Sequence, residues 1–205
     1  EVLQALKGVN LKYLVYAPES GSEETLKIIK KKIKLKNLEQ SVKYAVSQGM
    51  SLRTNLIIGF PHETRLQLYR TLYQQIKFVL FGVEEVPLYI FNAYPGTEIF
   101  NSLVSSKKII LNEQYFISLA ESLGGKLSPP KLTFNKTMGR FEIYIYWLFG
   151  NLLSYMLVYL TRPKKILRTI KSLFTDSSTS VVEQRLKDML RKSKLFDQYI
   201  KPLIK

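Results

Sequence analysis

At 205 residues and 46% hydrophobic, the chain can bury one substantial core plus an appendage, and having no cysteine it holds no disulfide, thiolate metal site or thiol nucleophile. Its net charge of +15 is uneven: residues 1–100 carry 13 Lys+Arg against 9 Asp+Glu, and residues 101–205 carry 18 against 7. One reading gives the second half an anionic partner, a membrane surface or nucleic acid; the other is a solvated Lys-rich surface.

The chain opens on glutamate and passes almost at once into an apolar run, as expected of a piece cut from a longer protein. No secretory leader is recognisable, which points to the cytoplasm. The run Leu11 to Tyr16 reads as a strand that ends in the turn phrase Ala17-Pro18-Glu19-Ser20-Gly21-Ser22-Glu23. Ser20 stands three residues before Glu23, a capping-box spacing, and Leu26, Ile29 and Ile33 continue at helical intervals, so a helix is expected from Glu19 to Lys34. A second helix begins near Asn37 as its cap, carries Leu38, Val42, Ala45 and Val46, and stops at Gly49.

The next strand, Leu52 to Ile58, ends in Gly59-Phe60-Pro61. From Thr64 to Phe81 the apolar residues Tyr69, Leu72, Tyr73, Ile76, Val79 and Leu80 recur at threes and fours, which predicts an amphipathic helix buried along that stripe and stopped by Gly82. A third strand, Val86 to Phe91, runs into Asn92-Ala93-Tyr94-Pro95-Gly96-Thr97, with Thr97 placed to cap a helix over Glu98 to Ser106. The order β-α-(α)-β-α-β argues for a parallel sheet or barrel. A further helix is expected near Glu113 to Leu123, and Gly124-Gly125 with Pro129-Pro130 marks a domain edge.

Phe141 to Leu160 carries a single charge, Glu142, and an uncharged run of this length admits three fates: packing on the domain, lying at a membrane interface, or crossing the bilayer. Arg162, Lys164, Lys165, Arg168 and Lys171 follow, interleaved with Ile166, Leu167 and Ile170. A polar linker over 176–180 precedes a last basic helix from Val181 to about Tyr199, with Ser180 and Glu183 as its capping box. The domains read as 1–125, 126–175 and 176–205.

Strand ends are where parallel α/β enzymes gather binding groups. Glu19 and Ser20 can meet a ribose or amine there, or can cap the following helix. Gly59 admits a ligand against backbone beside Ile57 and Ile58, though core packing explains the isoleucines equally well. Tyr94 to Thr97 needs no ligand to be a turn. His62 is the only histidine, without the partners of a metal site, and there is no Walker loop, GxGxxG or nucleophile elbow.

Taken together, Tyr16-Ala-Pro-Glu-Ser-Gly-Ser-Glu-Glu-Thr-Leu26, Asn55-Leu-Ile-Ile-Gly-Phe-Pro-His-Glu-Thr64 and Tyr94-Pro-Gly-Thr97 resemble the later half of the radical S-adenosylmethionine (SAM) catalytic barrel, closest to the branch that often carries a cobalamin-binding domain. The resemblance covers Leu11 to Leu123. It implies a partial (β/α)6 barrel from its fourth strand onward, followed by an α-helical extension. It implies SAM contacts at Glu19 and Ser20 for ribose or methionine, and at Ile57, Ile58, Gly59, Asn92, Ala93 and Tyr94 for adenine. A [4Fe-4S] cluster would belong to the same enzyme, and cobalamin to some of its relatives. The chain departs from the family in lacking the CxxxCxxC loop and the glycine-rich motif, so by itself it is not expected to cleave SAM. The tail is similar in character to members acting on hydrophobic substrates, which suggests a methyltransferase or cyclase working at an anionic membrane surface. A non-catalytic membrane-associated module and an RNA-modifying enzyme are the alternatives.

Overall fold

The computed structural model describes residues 2–11, 13–123 and 129–174, with isolated positions 184 and 188. The chain forms two compact units, Glu1–Tyr155 and Met156–Lys205. The sequence edges at 125/126 and 175/176 do not coincide with that division. The Gly124-Gly125 break and the expected last helix fall outside the described residues.

The first unit begins with α1 (Val2–Gly8), where the sequence suggests only a lead-in to strand. Three strands follow, β1 (Tyr13–Glu19), β2 (Ser51–Ile58) and β3 (Leu88–Ile90), all parallel and in the order β1-β2-β3. The fold is therefore mixed α/β with a small parallel sheet. β2 alternates fully: Leu52, Thr54, Leu56 and Ile58 are buried while Ser51, Arg53, Asn55 and Ile57 are half-exposed. Each of its buried aliphatics contributes about 1.5–3 kcal/mol. The opposite face carries Val15, Arg53, Ile57 and Tyr89. Val15 and Tyr89 are exposed there, and Arg53 donates to Asn55 Oδ1 at 2.9 Å and Glu85 Oε2 at 3.1 Å. Parallel sheets are ordinarily covered on both faces, so this half-open one is unusual.

The connecting helices are α2 (Glu23–Ile28), α3 (Leu35–Ser47) and α4 (Arg65–Phe81). The first cap lies two residues later than the Ser20/Glu23 spacing predicts. Ser22 is the N-cap, accepting from the Thr25 N–H, because the Ser20 hydroxyl is turned inward to Thr71. The helix then ends at Ile28 rather than near Lys34, closed by a turn through Lys30 at φ +58°. α3 starts before Asn37, and its first-turn Leu35 N–H is capped from a distance by Glu23 Oε1 at 3.2 Å. Gly49 at φ +76° follows its end as expected.

α4 has the predicted span and a capping box of Thr64 with Gln67, but it is rotated. Its buried residues are Leu68, Thr71, Gln74, Gln75, Phe78 and Val79, whereas Tyr69, Tyr73 and Leu80 are exposed. Buried polar groups turn the helix. Thr71 meets Ser20 and Gly21, and Gln75 Nε2 donates to the Val86 carbonyl at 2.8 Å. Buried amides with defined partners are tolerated, and here they outweigh the apolar stripe.

Beyond β3, shorter than its predicted run, come α5 (Glu98–Ser105), capped by Thr97, and α6 (Glu113–Leu123), both close to expectation. α7 (Arg140–Thr161) is a 22-residue helix, and α8 (Pro163–Phe174) places Pro163 at its first position. α7 is long and apolar enough to cross a membrane, and 22% of its most apolar window is buried. In the first unit its inner stripe is Ile143, Gly150 and Ser154. A Cβ on Gly150 would lie 2.8 Å from Leu72 Cδ2 and 2.9 Å from Leu88 Cδ2, so glycine permits the close seat against α4 and β3.

Candidate functional site at the strand ends

Three parallel strands bring their carboxyl ends to one edge of the sheet, and with them Glu19, Gly59 and the Asn92–Tyr94 turn. Phe91 N–H still pairs with the Ile58 carbonyl at 2.8 Å. β1 does not stop before the polar phrase, as the sequence suggests, but runs into it as far as Glu19. A register irregularity between Tyr16 and Glu19 accommodates Pro18, as bulges do in strands. Glu19 closes the strand at φ +73°, a left-handed conformation that disfavours a side chain by about 1–2 kcal/mol. Its carboxylate is half-exposed and lies 3.1 Å from Lys31 Nζ.

Ser20 is 0% exposed, with its Oγ 3.0 Å from Thr71 Oγ1 and accepting from Ser22 N–H at 3.1 Å. Gly21 allows close approach, but to protein: its Cβ would fall 2.5 Å from the Arg70 carbonyl oxygen on α4. The middle of the phrase thus docks the loop on α4, while Glu19 stays half-buried beside Lys31.

At the second strand end Gly59 has φ +85°, and Ile143 of α7 fills the space a Cβ would take, at 3.2 Å. Its N–H donates to Glu63 Oε2 at 2.5 Å. Glu63 is 0% exposed, and its Oε1 has no hydrogen-bond partner. Burial pushes its carboxyl up to about 7, against the opposing pull of the Gly59 and Phe60 N–H groups. His62, stacked on Phe60, is held below its ordinary value by burial and by Lys136. Asn135 secures this turn from outside it. Its Nδ2 donates to the Phe60 carbonyl at 2.7 Å and the Glu63 carbonyl at 2.8 Å.

At the third strand end, Asn92 and Ala93 line a cleft closed by Tyr115 of α6 and by Leu132 and Phe134. Tyr115 OH donates to the Ala93 carbonyl, so that carbonyl is engaged. Asn92 Nδ2 donates to the Ile90 carbonyl at 3.3 Å, and Tyr94 is exposed. Of the eight residues singled out in the sequence, Glu19, Ile57, Asn92 and Tyr94 keep side chains within reach of solvent. Ser20 and Ile58 are buried, and the Gly59 N–H and Ala93 carbonyl have internal partners.

Sequence reasoning did not single out Thr71, Glu63, Asn135 or Asn151 for the contacts they make. Asn151 is the most informative. From α7, its side chain accepts from Leu88 N–H and donates to the Leu88 carbonyl, each at 3.0 Å, as a neighbouring strand would. Only the strand-ending turn Gly59-Phe60-Pro61 gives any hint of Glu63, and nothing local announces Asn135 or Asn151.

A [4Fe-4S] cluster does not fit the residues present. The chain has no thiolate, and among the described residues no three of His, Asp and Glu come together. Of the groups a SAM molecule would need, the strand ends offer the half-buried Glu19 carboxylate, already paired with Lys31, beside the half-buried Ile57 and Asn92. Compared with protein families and with curated proteins, the chain matches no family model and no individual sequence.

Proposed function

We propose that this chain is the SAM-binding portion of a radical SAM [4Fe-4S] enzyme and supplies the later half of a partial (β/α)6 barrel, the cluster being held outside this sequence. The supporting observation is the asymmetry of the sheet edges. The outer edge of β3 is closed by Asn151, which satisfies both backbone groups of Leu88. Among the described residues no strand pairs with the outer edge of β1. A sheet finished on one side, open on the other and half-bare on one face suits the end of a larger barrel.

In this reading Glu19, held beside Lys31, accepts hydrogen bonds from the ribose or amino group. Ile57 flanks the adenine, and Asn92 and Tyr94 line its far side. The chain orients SAM and excludes water, and cleavage chemistry belongs to the cluster. A hydrophobic substrate and cobalamin accompany the proposal only through the resemblance. Calorimetric titration of S-adenosylhomocysteine into wild type and Glu19→Gln tests it: affinity is expected to fall about tenfold with one charged acceptor neutralised. Equal affinity removes Glu19 from the site.

One observation favours a second reading, a non-catalytic module on a half-barrel scaffold. Ser20, Gly59 and Ala93 are already engaged with protein. Wild type that takes up no S-adenosylhomocysteine at millimolar concentration supports that alternative.

A further inference from the structure

α8 is built inside out for a soluble helix. Its buried positions are Lys165, Thr169 and Ser172, a polar stripe at intervals of four and three, while Ile166, Leu167 and Ile170 are exposed. Tyr159 on the last turns of α7 meets this polar side, its hydroxyl 3.4 Å from Thr169 Oγ1 and its ring under Lys165 Nζ at 5.9 Å. In the same unit Leu160 is 69% exposed and Leu167 71%. The basic residues Lys164, Arg168 and Lys171 follow one another along the flank beside the outward apolar face, with Lys164 and Lys171 exposed.

We infer that α8 lies in the plane of an anionic lipid bilayer, with Ile166, Leu167 and Ile170 in the acyl boundary and Lys164 and Lys171 on the headgroups. Charge complementarity selects the occupant, because the outward apolar strip is bordered by cations and the half of the chain from 101 to 205 carries 18 basic against 7 acidic residues. A protein groove would accept the apolar strip without needing that border, and an RNA would need cations without the strip. Length selects the orientation. Twelve residues rise about 18 Å, well short of the hydrocarbon core. α7 is long enough to span, but in the first unit Asn151 is tied to β3 and Ile143 is packed on Gly59. Crossing would strip those contacts away. The inference is independent of SAM binding.

The test is flotation of the full chain with vesicles of phosphatidylcholine alone and with about 30% phosphatidylserine. Binding to the anionic vesicles only, released by about 0.5 M salt, is expected. Lys164→Glu/Lys171→Glu and Leu167→Asp/Ile170→Asp are each expected to lower partitioning about tenfold or more. All four positions are exposed and lie outside the core, and unchanged far-UV circular dichroism verifies folding. Equal binding to both vesicle types contradicts the inference, as does binding that survives both double substitutions. Salt-sensitive capture of tRNA with no vesicle binding, or retention after an alkaline carbonate wash, contradicts it as well.

Discussion

The sheet and the helices after it treat apolar side chains in opposite ways. β2 sends Leu52, Leu56 and Ile58 inward, and α3 buries Leu35, Val42 and Ala45. α7 sends Phe141, Ile145, Leu148, Phe149 and Leu152 outward and turns only Ile143, among its large aliphatics in the first unit, fully inward, its other protein-facing contacts coming from Gly150, Asn151 and Ser154. The first arrangement is how a core is made. The second uses small and amide groups to seat a helix closely while leaving its apolar side for a different environment. The difference teaches that the number of apolar residues in a helix says little about which way it faces; the small and polar residues decide.

The largest effect that would sharpen this contrast is expected at Gly150. Gly150→Val drives methyls into Leu72, Leu88 and Gln75 and should cost about 3 kcal/mol in urea unfolding, whereas outward Leu152→Ser should stay within about 0.5. Comparable losses at the two positions would break the contrast.

A pH effect comes next, at Glu63. Its carboxyl is raised from 4.5 to about 7 in the folded protein, so the native state holds its proton longer than the unfolded chain does. Stability therefore falls as pH rises from about 4.5 to 7 and levels off above, by up to about 3 kcal/mol. Glu63→Gln keeps an acceptor for Gly59 N–H and should flatten that slope, read from urea midpoints at pH 5 and 8. An unchanged slope would assign it to other groups.

At the closed edge, Asn151→Leu leaves Leu88 N–H and C=O without partners and should cost about 2 kcal/mol, with hydrogen exchange at Leu88 accelerated more than at Leu56. Equal acceleration at both would mean that Asn151 does not close the sheet. The smallest effect is expected at Glu19. Glu19→Gly relieves a positive φ and should leave stability unchanged or raise it by up to about 1 kcal/mol, while weakening SAM. A clear destabilisation would make Glu19 a structural residue.

The strands, the parallel order and most helix spans were legible because they rest on local signals: period-two alternation in Leu52 to Ile58, Thr97 before Glu98, and Gly49 and Gly82 after helices. The rotation of α4 was not, since Tyr69 and Tyr73 look as buriable as Leu68 until Thr71 and Gln75 find partners in Ser20 and Val86. The candidate site was legible as a place, the carboxyl ends of three strands, but not in its details. Ser20 and Gly21 suggest a ligand in the sequence, and what approaches them is α4, about fifty residues away. Asn135 and Asn151 act across similar distances, on the β2 turn and the β3 edge, and no local pattern encodes such a reach.

The central claim, a SAM pocket at the strand ends, is tested most directly by amide chemical shifts of the labelled chain during titration with SAM, which registers even millimolar binding. The account predicts saturable shifts clustered at Glu19, Ile57 and Asn92 to Tyr94, with α8 unaffected. No saturable shift, or shifts centred elsewhere, would contradict it.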